Sequence, residues 1–257
     1  MPPRSPEFGS EHEITRIPER ARIFDREIPA WDLIEQTIPA DKLKIEFAEG
    51  SYQDKLPEEL RVFRDEIVRK RSAAGERLRN GPTVALDGWR TETDSVILST
   101  REGRYFDDLA THFALDEKLP DGRTVRSFID QKGLFRPGGF QHSILAGSLG
   151  LGVVLETNDG RVILQERSQR VLLRPGAMQV SIGEGLRLND VRSGSIHRAI
   201  TRALREELGT SWSQTQEIVG TKLGMAEDDL QPTIAAYVRS PLSSQQVKQT
   251  AAAARGR

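Results

Sequence analysis

Between residues 151 and 240 the chain passes from strand-like to helix-like patterning and back, and that order constrains the fold more than any other feature. "LGVVLETNDGRVILQERS" (151–168) carries two β-branched runs on either side of "NDG", the signal of a hairpin. "MQVSIGEG" (178–185) reads as a short strand ending in a glycine-rich turn. "SGSIHRAITRALREELG" (193–209) reads as a helix, with Ser193 or Ser195 as its cap and Gly209 as its stop. Its apolar stripe is Ile196, Ile200, Ala203, Leu204 and Leu208. "EIVGTKLGMA" (217–226) and "PTIAAYVRS" (232–240) follow as two more strands. Three strands, a loop, a helix and two strands predict a mixed sheet with a helix packed on it.

The earlier part of the chain is less regular. "SPEFGS" at 5–10 reads as a cloning remnant, so residues 1–10 are set aside. Residues 57–81 predict a helix opened by Pro57, Glu58 and Glu59 and closed by "NG", with apolar positions Leu60, Phe63, Ile67 and Leu78. Its basic residues read as a solvated face or, more sharply, as a phosphate-binding one. Residues 83–113 predict strand, turn, strand and a helix from about 103, with the turn at Asp87–Gly88. Residues 115–140 predict a loop with one short helix at 123–131.

Composition narrows the function classes. With 37 basic and 38 acidic residues the net charge is −1, which gives no general electrostatic case for a nucleic-acid or membrane partner. There is no cysteine, so disulfides and thiolate metal sites are excluded. No apolar run reaches the roughly 18 residues of a membrane span, and the N-terminus lacks a signal-peptide core. A cytoplasmic location is the expectation.

Chemistry concentrates in "RALREELGT" (202–210). Residues four apart share a helix face, so Arg202 and Glu206 can pair. Glu206 and Glu207 are about a hundred degrees apart and can both reach one point beside the helix. Two close carboxylates repel unless a cation lies between them, and Mg²⁺ commonly bridges one or two carboxylates to a substrate phosphate. The plainer reading is a solvated pair of glutamates at a helix end.

With the "SIGEG" loop before it, this stretch resembles the Nudix hydrolase superfamily, whose signature is G, five residues, E, seven residues, then R-E-U-x-E-E-x-G-U, where U is a bulky aliphatic. Arg202, Leu204, Glu206, Glu207 and Gly209 match, and Thr210 replaces the last aliphatic. Ala203, Gly194 and Leu188 stand where the family has glutamate, glutamate and glycine. The 185–195 loop looks longer than usual, with Gly183 and Gly185 in the place of the loop glycines. The resemblance covers about 143–250. "DSVILSTREGRYFDDLATHF" upstream looks similar to the accessory region of the UDP-glucose pyrophosphatase type, which also carries a diverged box.

The resemblance implies an α+β fold. A Nudix-type mixed sheet with packed helices would occupy 143–257, without the family's last strand and helix. An α/β accessory region would occupy 11–142, either as a separate domain or wrapped around the core. It implies cleavage of the pyrophosphate bond in a nucleoside diphosphate linked to another moiety, X, such as a sugar. Mg²⁺ or Mn²⁺ held by Glu206 and Glu207 would neutralise the phosphates and activate a water. Arg202 would orient Glu206. Glu184, or Glu227, Asp228 and Asp229, could replace the carboxylate lost at Ala203. Phosphate or substrate could also meet Arg167, Arg170, Arg174, Gly183 and Glu184, while His197 reads as a packed or solvated residue. A homodimer is common in such folds. Two alternatives stay open: a catalytically weakened nucleotide-binding or regulatory module, and an interaction scaffold whose function lies in the first 140 residues.

Overall fold

A computed structural model describes residues 19–23, 26–34, 36–48, 52, 54–133, 145, 147–169, 175–209 and 217–255. The fold is α+β. The main sheet has seven strands: β1 (Glu19–Ile23), β2 (Arg26–Asp32), β6 (Gly150–Glu156), β7 (Val162–Ile163), β10 (Ile182–Gly185), β11 (Glu217–Ala226) and β12 (Pro232–Arg239). Their order is β1-β2-β11-β12-β6-β10, and β7 also pairs with β6. Only β12 and β6 run parallel within this order; the other pairs are antiparallel.

Register aligns the apolar face. Ile234, Ala236 and Val238 of β12 lie opposite Leu151, Val153 and Leu155 of β6, and all six are buried. Alternation with period 2 puts them on one side. Helix α5 (Ile196–Leu208) supplies a matching stripe: Ile196, Ala199, Ile200, Ala203, Leu204 and Leu208 are all buried in the same core. Gly209 ends the helix at φ 66°, a left-handed conformation that glycine adopts without a Cβ penalty. The predicted strands 217–226 and 232–240 match β11 and β12 to within a residue.

Several elements differ from the sequence reading, and the strand expected over 178–185 is split into two, Met178–Gln179 and Ile182–Gly185. Asp87–Gly88 is not a turn but a bulge inside β4 (Pro82–Thr91), where the register with β5 (Val96–Arg104) shifts between Leu86 and Gly88. Asp87 is held there by Arg101 at 2.7 Å and Lys55 at 3.1 Å, and the chain reverses at 92–95 instead. Helix α1 (Glu58–Ala73) stops at Ala74 and Gly75, short of "NG" at Asn80–Gly81, so Leu78 packs on the core from outside the helix. Beyond 240, where no closing helix was expected, Ser244–Arg255 form α6, packed beside α5.

The described residues between 19 and 133 share the sheet and core of the later part of the chain. The β1–β2 hairpin extends that sheet: Asp32, Trp31 and Ala30 pair with Gly224, Met225 and Ala226 of β11. A second sheet, β3 (Leu43–Phe47), β5 and β4 in the order β3-β5-β4, is tied to the start of β6. Leu86 N–H donates to Gly147 O at 2.8 Å and Leu149 N–H to Val84 O at 2.7 Å. Buried residues from both parts belong to one continuous core, including Leu60 and Phe63 of α1, Leu98 of β5 and Leu151 of β6. Helix α2 (Tyr105–Ala110) packs against β5, and α3 (Val125–Gln131) buries Val125, Phe128 and Ile129 in the same core, with Thr124 capping it by accepting from Ser127 N–H at 3.1 Å. No helix among the described residues is long and apolar enough to cross a membrane.

Candidate functional site

The site forms where β10 meets α5. Glu184 lies in register with Leu151, so its side chain leaves the sheet on the face that α5 covers. Between the two elements, residues 188–192 make a short helix, α4 (Leu188–Arg192), where the sequence predicted only loop. Asp190 Oδ2 accepts from the backbone N–H of Arg187 at 3.1 Å and fixes the entry to that turn.

Arg202 is the hub. Its Nε donates to Asp190 Oδ1 at 2.9 Å and its Nη2 to Asp190 Oδ2 at 2.7 Å, a two-point fork. The same Nη2 reaches Glu184 Oε1 at 2.5 Å, and Nη1 reaches Glu206 Oε2 at 3.1 Å. Arg187 meets the other side of Glu206, Nη2 to Oε2 at 2.7 Å and Nη1 to Oε1 at 3.3 Å, and stands 3.6 Å from Glu184. Three carboxylates, Glu184, Asp190 and Glu206, thus share two guanidiniums.

The electrostatics follow burial. The Arg202 side chain is 15% exposed and Asp190 only 6%, whereas Arg187 and Glu206 are 51% and 37% exposed. Burial works against the Arg202 cation, but its bonds to Asp190 and Glu184 outweigh that and raise its pKa well above the ordinary value. Slight burial pushes the Glu206 carboxyl up; Arg187 and then Arg202 outweigh it and hold Glu206 below its ordinary range.

The predicted residues separate. Arg202, Glu206 and Glu184 come together, but Glu184 serves as a partner of Arg202 where a metal ligand was expected. Glu207 is exposed and makes no ion pair with the described residues. Gly183 sits in β10 opposite Gly152, and a Cβ there would approach Gln179 Oε1 to 2.9 Å, so protein rather than ligand makes the close approach. Arg167 donates to the same Gln179 at 2.7 Å, in the ribbon of β8 (Gln165–Glu166) and β9 (Met178–Gln179). Arg170 and Arg174 lie outside the described residues. His197 is exposed on α5. The loop of Glu227, Asp228 and Asp229 meets the other half of the chain: the Glu227 carbonyl accepts from Arg126 at 2.6 Å and that of Asp229 bonds His112 Nδ1 at 2.9 Å.

Sequence reasoning missed Arg187 and Asp190. The one signal that could have found them is their spacing, a residue followed at the third position by an aspartate at a helix start.

Of the expected metal ligands, only Glu207 keeps its oxygens open in this arrangement. Mg²⁺ needs carboxylate oxygens open to a near-octahedral shell. Glu184, Asp190 and Glu206 have theirs on guanidiniums, and Ala203, where the resemblance calls for a further carboxylate, is wholly buried. Among the described residues no group of three or more His, Asp or Glu is set to hold a metal.

No family model matches the chain, and no curated protein matches it. Among solved structures it is similar to the crystal structure of DR0079 from Deinococcus radiodurans, at 18% identity with a TM-score of 0.29. That likeness covers 38% of this chain and 58% of that one, under two thirds of its length, and carries no argument about fold or function.

Proposed function

We propose that the chain is a Nudix-like module that binds a nucleoside diphosphate linked to a second moiety and hydrolyses it slowly or not at all. The resemblance of 202–209 supplies the ligand class. The observation that carries the weakened chemistry is the Arg187–Glu206 pair, two nitrogens on one carboxylate, at the position from which the resemblance would hang a cation. With Ala203 buried, Glu184 taken by Arg202 and Glu206 held by Arg187, Glu207 alone among the expected carboxylates stands open to a metal. What the chain's own residues do is hold one another: Arg202 locks β10, α4 and α5 into one geometry.

A second reading, a metal-dependent pyrophosphohydrolase, is favoured by one observation. Arg187 and Glu206 are both well exposed, and an exposed ion pair is worth only about 0–1 kcal/mol, so a cation could displace it. One experiment separates the two. The protein is incubated with a panel of nucleotide sugars and Mg²⁺ or Mn²⁺, while nucleoside monophosphate release and thermal stabilisation are followed together. Stabilisation with at most slow release supports the module, rapid metal-dependent turnover overturns it for the hydrolase, and neither effect overturns both.

A further inference from the structure

Arg187 and Glu206 join, in one pair, the two kinds of charge that a metal-bound diphosphate would meet. Arg187 holds the carboxylate through two nitrogens, Nη2 to Oε2 at 2.7 Å and Nη1 to Oε1 at 3.3 Å. A guanidinium fork fits the oxygens of a phosphate as well as those of a carboxylate. In the free protein Glu206 therefore takes the place that a phosphate group would take.

Of the two arginines in the site, Arg187 is the one placed to let go. Arg202 has Nε and both Nη atoms on Asp190, Glu184 and Glu206, and its side chain is largely buried. Arg187 is half exposed, and its remaining contact is a 3.6 Å ion pair with Glu184, which Arg202 already holds at 2.5 Å. The main chain of Arg187 is fixed at both ends by Asp190: its N–H donates to Oδ2 at 3.1 Å and its carbonyl accepts from the Asp190 N–H at 2.9 Å. The guanidinium can thus swing while α4 stays in place.

Glu206 responds to that swing. Its Oε2 keeps Arg202 at 3.1 Å, but Oε1 has no hydrogen-bond partner other than Arg187 among the described residues. Withdrawing Arg187 bares Oε1 beside the exposed Glu207, the next residue on the helix. It also leaves Glu184, Asp190, Glu206 and Glu207 with the single guanidinium of Arg202, a surplus of negative charge that favours a cation. We propose that Arg187 is the diphosphate-binding residue of this site and that its pair with Glu206 couples two ligands. A diphosphate on Arg187 frees Glu206 for a divalent cation, and a cation on Glu206 frees Arg187 for the diphosphate. The choice of ligand rests on the nucleotide reading; the coupling goes beyond it. Such coupling is reciprocal and cannot exceed the strength of the pair, which for groups this exposed limits it to about fivefold.

The test first keeps metal out. Inorganic pyrophosphate is titrated into the full chain in EDTA and followed by phosphorus NMR, for the parent, Glu206→Gln, Glu207→Gln, Arg187→Gln and the Arg187→Gln/Glu206→Gln double variant. Circular dichroism checks folding. Glu206→Gln leaves Arg187 unclaimed and is expected to tighten binding about three- to fivefold. Glu207→Gln removes the same charge without releasing an arginine, and its effect is expected to stay under about twofold. Arg187→Gln is expected to weaken binding at least about fivefold, and in its presence Glu206→Gln is expected to bring no gain. Mn²⁺ alone, without EDTA, is expected to bind Arg187→Gln about three- to fivefold more tightly than the parent. Equal gains in the two glutamate variants, an affinity indifferent to Arg187→Gln, no pyrophosphate binding in any protein, or unchanged Mn²⁺ affinity each overturn the proposal. The nucleotide reading fails separately. Pyrophosphate and Mn²⁺ that follow this pattern while no nucleotide sugar stabilises the protein keep the coupling and sink that reading. A nucleotide sugar bound equally by the parent, Glu206→Gln and Arg187→Gln keeps that reading and overturns the coupling.

Discussion

Arg202 grips Asp190 by two parallel hydrogen bonds, at 2.9 and 2.7 Å, across twelve residues of chain. The pair fastens the short helix α4 onto α5, and Glu184 of β10 joins it from the sheet. Removing one member of a nearly buried pair leaves the other charge uncompensated. Arg202→Ala is therefore expected to lower unfolding free energy by about 3 kcal/mol, and Arg202→Lys to recover only part of that because a lysine cannot fork. Urea unfolding measures both. A loss under about 1 kcal/mol for the alanine variant would show that the network is ornamental to stability.

Arg187 acts differently because it stands in solvent. Arg187→Gln removes its charge from Glu206 without opening the core. Stability is expected to change by less than about 0.5 kcal/mol, while affinity for Mn²⁺ at Glu206 and Glu207 rises severalfold over the parent protein. Titration followed by electron paramagnetic resonance of free Mn²⁺ reads this directly. Unchanged affinity means that the arginine is not what keeps a cation away.

Ala203→Glu would restore the carboxylate that the resemblance asks for, yet Ala203 is wholly enclosed among Ile200, Leu204 and their neighbours. A buried, unpaired carboxylate is costly, and a drop of at least about 2–3 kcal/mol in stability is expected, with no gain in turnover. A stable variant that releases nucleoside monophosphate faster would refute the burial argument.

Two buried groups set an opposed pH dependence. Burial, reinforced by Asp107, lifts the Asp108 carboxyl to about 8, against Thr83, Ser148 and Arg101. Between about pH 4 and 8 the unfolded chain binds fewer protons than the folded one at this residue, so its contribution to stability falls as pH rises. Burial lowers His112 to about 4, partly opposed by the Asp229 carbonyl; its Nε2 accepts from Gly147 N–H at 3.0 Å. There the unfolded state binds more protons between about pH 4 and 6.5, and stability falls as pH falls. The slopes offset each other below about 6.5, which leaves Asp108 alone up to about 8. Relative to the parent, Asp108→Asn is expected to gain about 1–2 kcal/mol between those two values. Denaturation midpoints at a series of pH values check it, and a flat difference would contradict it.

Gly209 has a packing reason as well as a conformational one. A Cβ there would come 2.5 Å from the Thr250 carbonyl oxygen and 2.7 Å from the Ala254 Cβ. Gly209→Ala is expected to cost more than about 1 kcal/mol and to loosen α6 from α5, visible as faster amide exchange over 244–255.

The sequence by itself determined the elements whose signals are local. The stripe of α5, its glycine stop, the "NDG" turn and strands β11 and β12 were legible because period and turn chemistry act within a few residues. The Arg202–Glu206 contact was legible too, since four residues on a helix make one face. Tertiary structure decided the rest. "DG" at 87–88 serves a bulge because Arg101 and Lys55 claim Asp87, a choice set across strands rather than along the chain. The β1–β2 hairpin found its place against β11 some 190 residues later, where only edge pairing could put it. In the same way, Glu184 and Glu206 became partners of arginines because α4 turns Arg187 and Asp190 toward α5. Charge pairing between elements depends on distance in space, which spacing along a chain does not encode.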